Sequence, residues 1–329
     1  MQEQDKYTTF YDTPNLPKNE AVNSAVLDTL EQPVPLGISK GLRTLRKRSI
    51  SKYFTNKLIF PLIDQKSCLQ KNYWQTYHCV KTHLQTGTKI TAKYCGKRWC
   101  IVCNRVRMAR LLNGYQEQMK ALPDLRFVTL TVPNVTDVNL SGCITEMVNE
   151  IILIQKQFRK KCKHKIVGIR KIEITYNPRL RNFHPHLHFI LSGKQVGDEL
   201  LHQWLQRNPS ASNLAQDNRE CTDLKEAFKY GCKLYKSSKR KDGTKVIQVY
   251  PPKALDIMFR SLVGRRIIQP MGGLRMVNEE LNDLVSTVNV EQDRTEIWTW
   301  EQEYCDWVNA EWECLAGGAV PEVKFVNGS

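Results

Sequence analysis

Apolar positions change period along the chain, and the changes mark its elements. After Cys103, "NRVRMARLLNGYQEQMKAL" places Val106, Ala109, Leu112, Tyr115 and Met119 at helical spacing. "LRFVTLTVPN" reads as a β-rich strand closed by Pro-Asn. "CITEMVNEIILIQKQFRKKCK" predicts an amphipathic helix whose cationic last turn suits the helix dipole. "IVGIRKIEITYNP" and "FHPHLHFILSG" predict two strands, and "NPRLRN" between them suits an antiparallel hairpin. "DELLHQWLQRN" and "CTDLKEAFKYGCKLYKSS" predict helices, "DGTKVIQVYP" a short strand, and "KALDIMFRSLVGRR" a last helix. The order over 107–266 is therefore α-β-α-β-β-α-α-β-α. It predicts an α+β domain with helices against one face of an antiparallel sheet.

The flanks differ. Residues 1–40 are polar and carry Pro14, Pro17, Pro33 and Pro35, so a flexible arm is expected there. "KGLRTLRKRSISKYFTNKLIF" is basic and spaced for a helix. The expected organisation is an arm (1–40), a basic Cys-rich element (41–115), an α+β domain (116–270) and an acidic, Trp-rich tail (271–329). In that tail, Trp300, Trp307 and Cys314 fit one helix stripe that packs on the body or meets a partner.

Charge narrows the function. The chain carries +16 in total. From Asn289 to Ser329 nine acidic and two basic residues give −7, which leaves +23 on the first 288 residues. A body this basic is an electrostatic footprint for nucleic acid. No run of about 18 apolar residues exists, and the start "MQEQDKYTTF" has no export signal, so a cytoplasmic protein without membrane contact is expected. With 11 cysteines in that setting, thiols or metal sites are expected before disulfides.

The strand "FHPHLHFIL" holds three of the seven histidines. Strand side chains alternate, so His184, His186 and His188 share one face while Leu187, Phe189 and Leu191 share the other. Two neighbouring imidazoles can grip one cation, and the third can ligate or orient. Glu173, between Ile172 and Ile174, reaches the same face if its strand pairs with this one; otherwise it is an exposed edge residue. Imidazole with carboxylate suits Mn²⁺ or Zn²⁺, and carboxylate with phosphate oxygens suits Mg²⁺.

On a helix, Glu226, Lys229, Tyr230 and Lys233 form one stripe at i, i+3, i+4 and i+7. A phenol beside cations can become a nucleophile, and the carboxylate can serve as a general base. Taken alone, the same stripe is what an ordinary solvated helix face shows. Tyr235 lies about 140° away on such a helix and falls off the stripe.

Cys100-x-x-Cys103 has the spacing of a zinc knuckle, with Cys95 close by. Cys79 is the preferred fourth ligand, because the intervening hairpin returns 79 towards 95; Cys68, His78 and His83 are alternatives. Structural Zn²⁺ is the expectation. Lys97, Arg98, Arg105 and Arg107 around this element, with Lys229 on the tyrosine helix, are expected DNA contacts.

Together, "FVTLTVPN", "HPHLHFIL" and "EAFKYGCK" resemble the three ordered motifs of the HUH endonuclease superfamily, specifically the rolling-circle replication initiator (Rep) proteins of small bacterial plasmids. The resemblance covers roughly residues 70 to 265. It implies a ferredoxin- or RRM-like antiparallel sheet with the site on its open face, preceded by a Cys-rich element. It also implies metal-dependent (Mg²⁺ or Mn²⁺) nicking of one strand of plasmid origin DNA, single-stranded or hairpin, through a 5′-phosphotyrosine that leaves a 3′-hydroxyl primer. By the resemblance, Tyr230 is the nucleophile and His186 and His188 are metal ligands, with Glu173 or His184 completing the set. Glu226 activates water for termination, and Lys233 contacts the scissile phosphate. A host helicase and a second copy of the chain are expected partners. Two alternatives remain open: an HUH-type transposase of an insertion sequence, and a non-catalytic zinc-containing DNA-binding regulator.

Overall fold

The computed structural model describes residues 40–87, 89–161, 165–224, 234–239, 245–276, 295–318 and 326–327. Tyr230, Glu226, Lys229 and Lys233, and the expected N-terminal arm to residue 39, lie outside the described residues. The described chain runs α1 (Lys40–Ile63), α2 (Gln70–Tyr77), β1 (Thr82–Thr86), β2 (Lys89–Ala92), α3 (Ile101–Lys120), β3 (Leu125–Thr131), α4 (Asp137–Lys161), β4 (Gly168–Asn177), β5 (Asn182–Ser192) and α5 (Lys194–Arg207). It continues with β6 (Asp217–Glu220), β7 (Tyr235–Lys239), β8 (Lys245–Val249), α6 (Pro252–Ser261), β9 (Ile268–Met271), β10 (Thr295–Glu301), β11 (Asp306–Val308) and β12 (Val326–Asn327). The protein is thus α+β. None of its described helices is long and apolar enough to cross a membrane.

The largest sheet has the order β6-β3-β5-β4-β9, with every neighbouring pair antiparallel. Its first four strands arise from a β-α-β-β-α-β run, β3-α4-β4-β5-α5-β6. On α4, Leu140, Ile144, Met147, Ile151, Ile154 and Phe158 recur every three or four residues, and all are buried. They meet Val128, Leu130, Ile172, Ile174, Leu187, Phe189 and Leu191, the apolar set of the three central strands. Trp204 of α5 joins them, and its indole N–H donates to the Thr131 carbonyl at 3.1 Å.

The same core extends into the N-terminal helices. Ile59 and Leu62 of α1, Tyr73 of α2, and Leu255, Met258 and Phe259 of α6 belong to it. One polar link crosses this junction: the Tyr73 hydroxyl donates to Asp256 Oδ1 at 2.6 Å, while Arg260 holds the other oxygen at 2.9 Å.

A second sheet, β11-β10-β1-β2, is antiparallel throughout and unites distant parts of the sequence. Here the expected C-terminal helix is corrected, since residues 295–301 and 306–308 are strands. The spacing Trp298-x-Trp300 is a period-two signal; it puts both indoles on one side of β10, in a cluster with Trp307, Cys79, Cys100 and Cys103. The acidic segment therefore packs on the Cys-rich element.

Two further expectations change. The helix expected over 221–238 does not extend to its end, because Tyr235–Lys239 is a strand paired antiparallel with β8. Tyr235 thus starts a strand, and its angular offset on a helix has no meaning there. Cross-strand hydrogen bonding, not local propensity, decides this segment. Helices also do not keep to one face of the large sheet. Tyr115 and Met119 of α3 cover Phe127, Ile169 and Ile190 on the face that carries the histidines. β6 and β9 were not legible from pattern: "DNRE" is polar and "IQPM" contains a proline, and both are edge strands.

Candidate metal centres and basic surfaces

The histidine face follows from register. β5 pairs with β3 on one side and β4 on the other, so His186 stands between Thr131 and Glu173, and His188 between Thr129 and Lys171. These residues form two rows across one face, beyond the apolar patch under α3. His184, opposite Thr175, belongs to the next row.

Within these rows, one ligand atom each from Glu173, His186 and His188 lies within 4.8 Å of the other two. Glu173 Oε1 is 3.4 Å from His186 Nε2, and Oε2 is 3.7 Å from His188 Nε2. The Nδ1 atoms face away. His186 Nδ1 lies 3.1 Å from the His184 carbonyl, which can only accept, so that nitrogen carries the proton and Nε2 is left as the ligating atom. His188 Nδ1 is 3.1 Å from Thr129 Oγ1. Two oriented imidazole nitrogens and one carboxylate are a donor set that a divalent ion of the Mn²⁺ or Zn²⁺ type fits.

Lys171 and Thr129 were not singled out from sequence. The Lys171 ammonium is 2.8 Å from Glu173 Oε2, and its side chain is almost wholly buried. Burial alone would raise the Glu173 carboxyl. The 3.4 Å contact with His186, the positive charge of Lys171 and the nearby His188 ring outweigh it, holding the group well below the usual carboxylate range. Glu173 is thus anionic at any pH at which a ligand role is relevant. The ring of His184 lies 5.3 Å from that of His186 and stays outside the three-residue group.

The second cluster contains Cys79, Cys95, Cys100 and Cys103, whose sulfurs all lie within 4.8 Å of one another. Sγ–Sγ distances of 3.5 Å (Cys79–Cys103) and 3.6 Å (Cys95–Cys103) approach the roughly 3.8 Å edge of a tetrahedron with bonds of about 2.3 Å. Backbone N–H groups of Cys95, Gly96 and Lys97 point at these sulfurs at 3.3–3.4 Å, as suits thiolates. Gly96 makes that turn at φ +67°. Of the alternatives for the fourth ligand, Cys68 is exposed, His78 stacks on Trp74, and His83 is buried against Trp307.

A buried cation near this cluster also escaped the sequence reading. Lys52 of α1 is fully buried and donates to the Tyr77 carbonyl. Burial pulls its amine down to about 8, while the charge of Cys79, Cys100 and Cys95 acts in the opposite direction. A four-thiolate zinc site has a net charge of −2, which a nearby ammonium partly offsets.

The arginines expected at DNA do not all face outwards. Arg98 donates to the Leu262 carbonyl at 2.8 Å, and Arg107 bonds Asn104 and the Gly96 carbonyl. Lys97 and Arg105 are half-buried, and Arg110 is exposed.

Residues 88–196 match the family model described as "Replication protein". The chain is 32% identical over 114 residues to the "Protein rep" of Staphylococcus aureus, covering 31% of this chain and 46% of that protein. It is 31% identical over 113 residues to the "Protein rep" of Streptococcus pneumoniae serotype 2, covering 31% of this chain and 34% of that protein. The matched region thus spans less than half of either relative. No solved structure matches significantly. The family match takes in Cys95, Cys100, Cys103, Glu173 and the histidine strand, and stops before 226–233. The motif resemblance and these comparisons agree on likeness to replication proteins.

Proposed function

We propose that this replication-protein-like chain is a plasmid rolling-circle initiator of the HUH type, which nicks and rejoins origin DNA through tyrosine. The observation that carries the reading is the grouping of Glu173, His186 and His188 on one sheet face, inside the segment that matches the replication-protein family. The order β6-β3-β5-β4, built from β-α-β-β-α-β, is that of a ferredoxin- or RRM-like sheet and supports the fold expected of such an enzyme.

In this reading Glu173, His186 and His188 hold Mg²⁺ or Mn²⁺, which when bound draws charge from a phosphate oxygen. His184 braces His186 through its carbonyl. Tyr230 supplies the phenol oxygen that attacks phosphorus. The P–O3′ bond breaks, the leaving oxygen takes a proton to become a 3′-hydroxyl primer, and the 5′ phosphate stays on Tyr230. Lys229 and Lys233 favour the phenolate and grip the DNA. Glu226 takes the proton of water, or of an incoming 3′-hydroxyl, in the reaction that releases the tyrosine. The chain enters 225–233 from Leu224, which packs on the apolar patch of the histidine face, and leaves it at Leu234 in the main core.

Zn²⁺ on Cys79, Cys95, Cys100 and Cys103 has a structural role in this reading. It ties the β1–β2 hairpin to the start of α3 and presents Lys97 and Arg105 near the DNA, while Arg98 and Arg107 brace the element through the Leu262 and Gly96 carbonyls.

The test is incubation with Mn²⁺ and labelled single-stranded origin DNA. A covalent protein–DNA adduct is expected with the wild type and not with Tyr230→Phe. An adduct that persists in Tyr230→Phe would remove Tyr230 as the nucleophile. No nicking at all by the wild type would favour the zinc-containing regulator.

A further inference from the structure

On the opposite face of the large sheet from Glu173 and His186, a cavity of about 520 Å³ opens between α4, β4 and the β9 turn. Five cations line it: Arg159, Lys165, Arg170, Arg265 and Arg266. Among the described residues, no carboxylate lines it.

Arg170 sets the character of this cavity. It sits on β4 between Ile169 and Lys171, both of which face the histidine side, so its side chain turns to the α4 side. Only 6% of it is exposed. One guanidinium nitrogen donates to the Arg266 carbonyl at 3.3 Å, and Nε has no hydrogen-bond partner among the described residues. Burial brings its pKa down to about 10, which leaves it charged at neutral pH. A buried guanidinium with an unused donor and no counter-charge is costly unless a ligand supplies one.

The remaining walls suit a small oxyanion. Arg159 and Lys165 are exposed at the mouth and have no ion-pair partner among the described residues. Arg265 is held in place by Ser141 and Thr145 at 2.8–3.0 Å. Gly272, at φ +72°, brings the β9 turn so close that a Cβ there would lie 2.6 Å from the Val167 Cα. Val148, Ile151 and Pro270 add an apolar wall.

We propose that this cavity is a phosphate-binding site, with Arg170 as the buried donor and Arg159 and Lys165 at the rim, separate from the metal face. The chemistry fits a backbone phosphate of DNA and a free phosphate or nucleotide alike. DNA as the source rests on the replication-initiator reading; affinity for phosphate does not.

The experiment uses the full chain. Thermal unfolding is followed in sodium phosphate and in sodium chloride of matched ionic strength, for wild type, Arg170→Met and the exposed pair Arg159→Ala/Lys165→Ala. Phosphate should raise the wild-type Tm beyond chloride, and both variants should lose most of that rise. A second arm measures binding of a single-stranded oligonucleotide in the Tyr230→Phe background, so it reports whether or not the chain cuts DNA. If DNA is the source, both variants should bind roughly tenfold or more weakly. Their log–log salt slopes should fall by about 0.7 for each phosphate no longer neutralised. A phosphate effect with unchanged oligonucleotide binding assigns the site to free phosphate or a nucleotide and overturns DNA as the source. No phosphate-specific rise in the wild type, or a rise that survives in both variants, overturns the site.

Discussion

Glu173 and His186 are register partners across β4 and β5, and the carboxylate oxygen of one lies 3.4 Å from Nε2 of the other. The pairing places an anion in a row of donors. Burial together with charge or with sulfur recurs at Lys171, at the cysteine cluster and at His83, and it makes each of them testable.

Lys171 is expected to depend on Glu173 for its buried charge. Glu173→Gln should destabilise the protein by up to about 3–5 kcal/mol, because it leaves the ammonium uncompensated. Adding Lys171→Met should restore much of the loss. Urea unfolding of both variants checks this; equal destabilisation by the single and the double variant would refute the coupling.

Metal affinity at the histidine face should need His186. His186→Ala is expected to weaken Mn²⁺ binding at least 10- to 100-fold, roughly the range seen even for groups that only orient a ligand. Calorimetric titration reads it directly. If affinity is unchanged, the three residues do not share an ion.

The cysteine cluster should hold about one zinc per chain. Cys95→Ser is expected to release it and to lower Tm, because the metal links the β1–β2 hairpin to α3 and its binding energy is folding energy. Elemental analysis beside thermal unfolding tests this. Full zinc content in Cys95→Ser would exclude Cys95 as a ligand.

His83 should make stability fall in mild acid. Burial, with the nearby charges of Arg48 and Lys52, depresses its imidazole to about 3, against about 6.5 when unfolded. Between these values the unfolded chain binds the proton and the folded chain does not. Its contribution is complete above about 6.5 and is lost as pH falls towards about 3. From pH 7 to 5.5 the loss should be about 1 kcal/mol. Acid also weakens metal binding by thiolates, so the measurement compares His83→Leu with wild type; an identical pH slope in both would disprove the assignment.

Much of the site was legible because strand periodicity is local. Alternation alone put His186 and His188 on one face, and the flanking isoleucines put Glu173 on a single side of its strand. The cysteine spacing behaved in the same way, and the hairpin did return Cys79 to Cys95. Lys171 was harder to read. A lysine in a strand usually faces water, and only the pairing with β5 shows that it is buried beside Glu173.

The sequence by itself determined the elements whose apolar period is long and regular: α4, the β4–β5 hairpin, and the single histidine face. Each depends on neighbours within a few residues, where backbone geometry allows one arrangement. Tertiary structure alone decided that Trp298, Trp300 and Trp307 come back to the cysteine cluster. It alone decided that α3 covers part of the histidine face, and that Arg170 ends in a cavity lined by other cations. Some of those relations join residues roughly 200 positions apart, and the free energy that holds them is burial shared between elements, which no local pattern records.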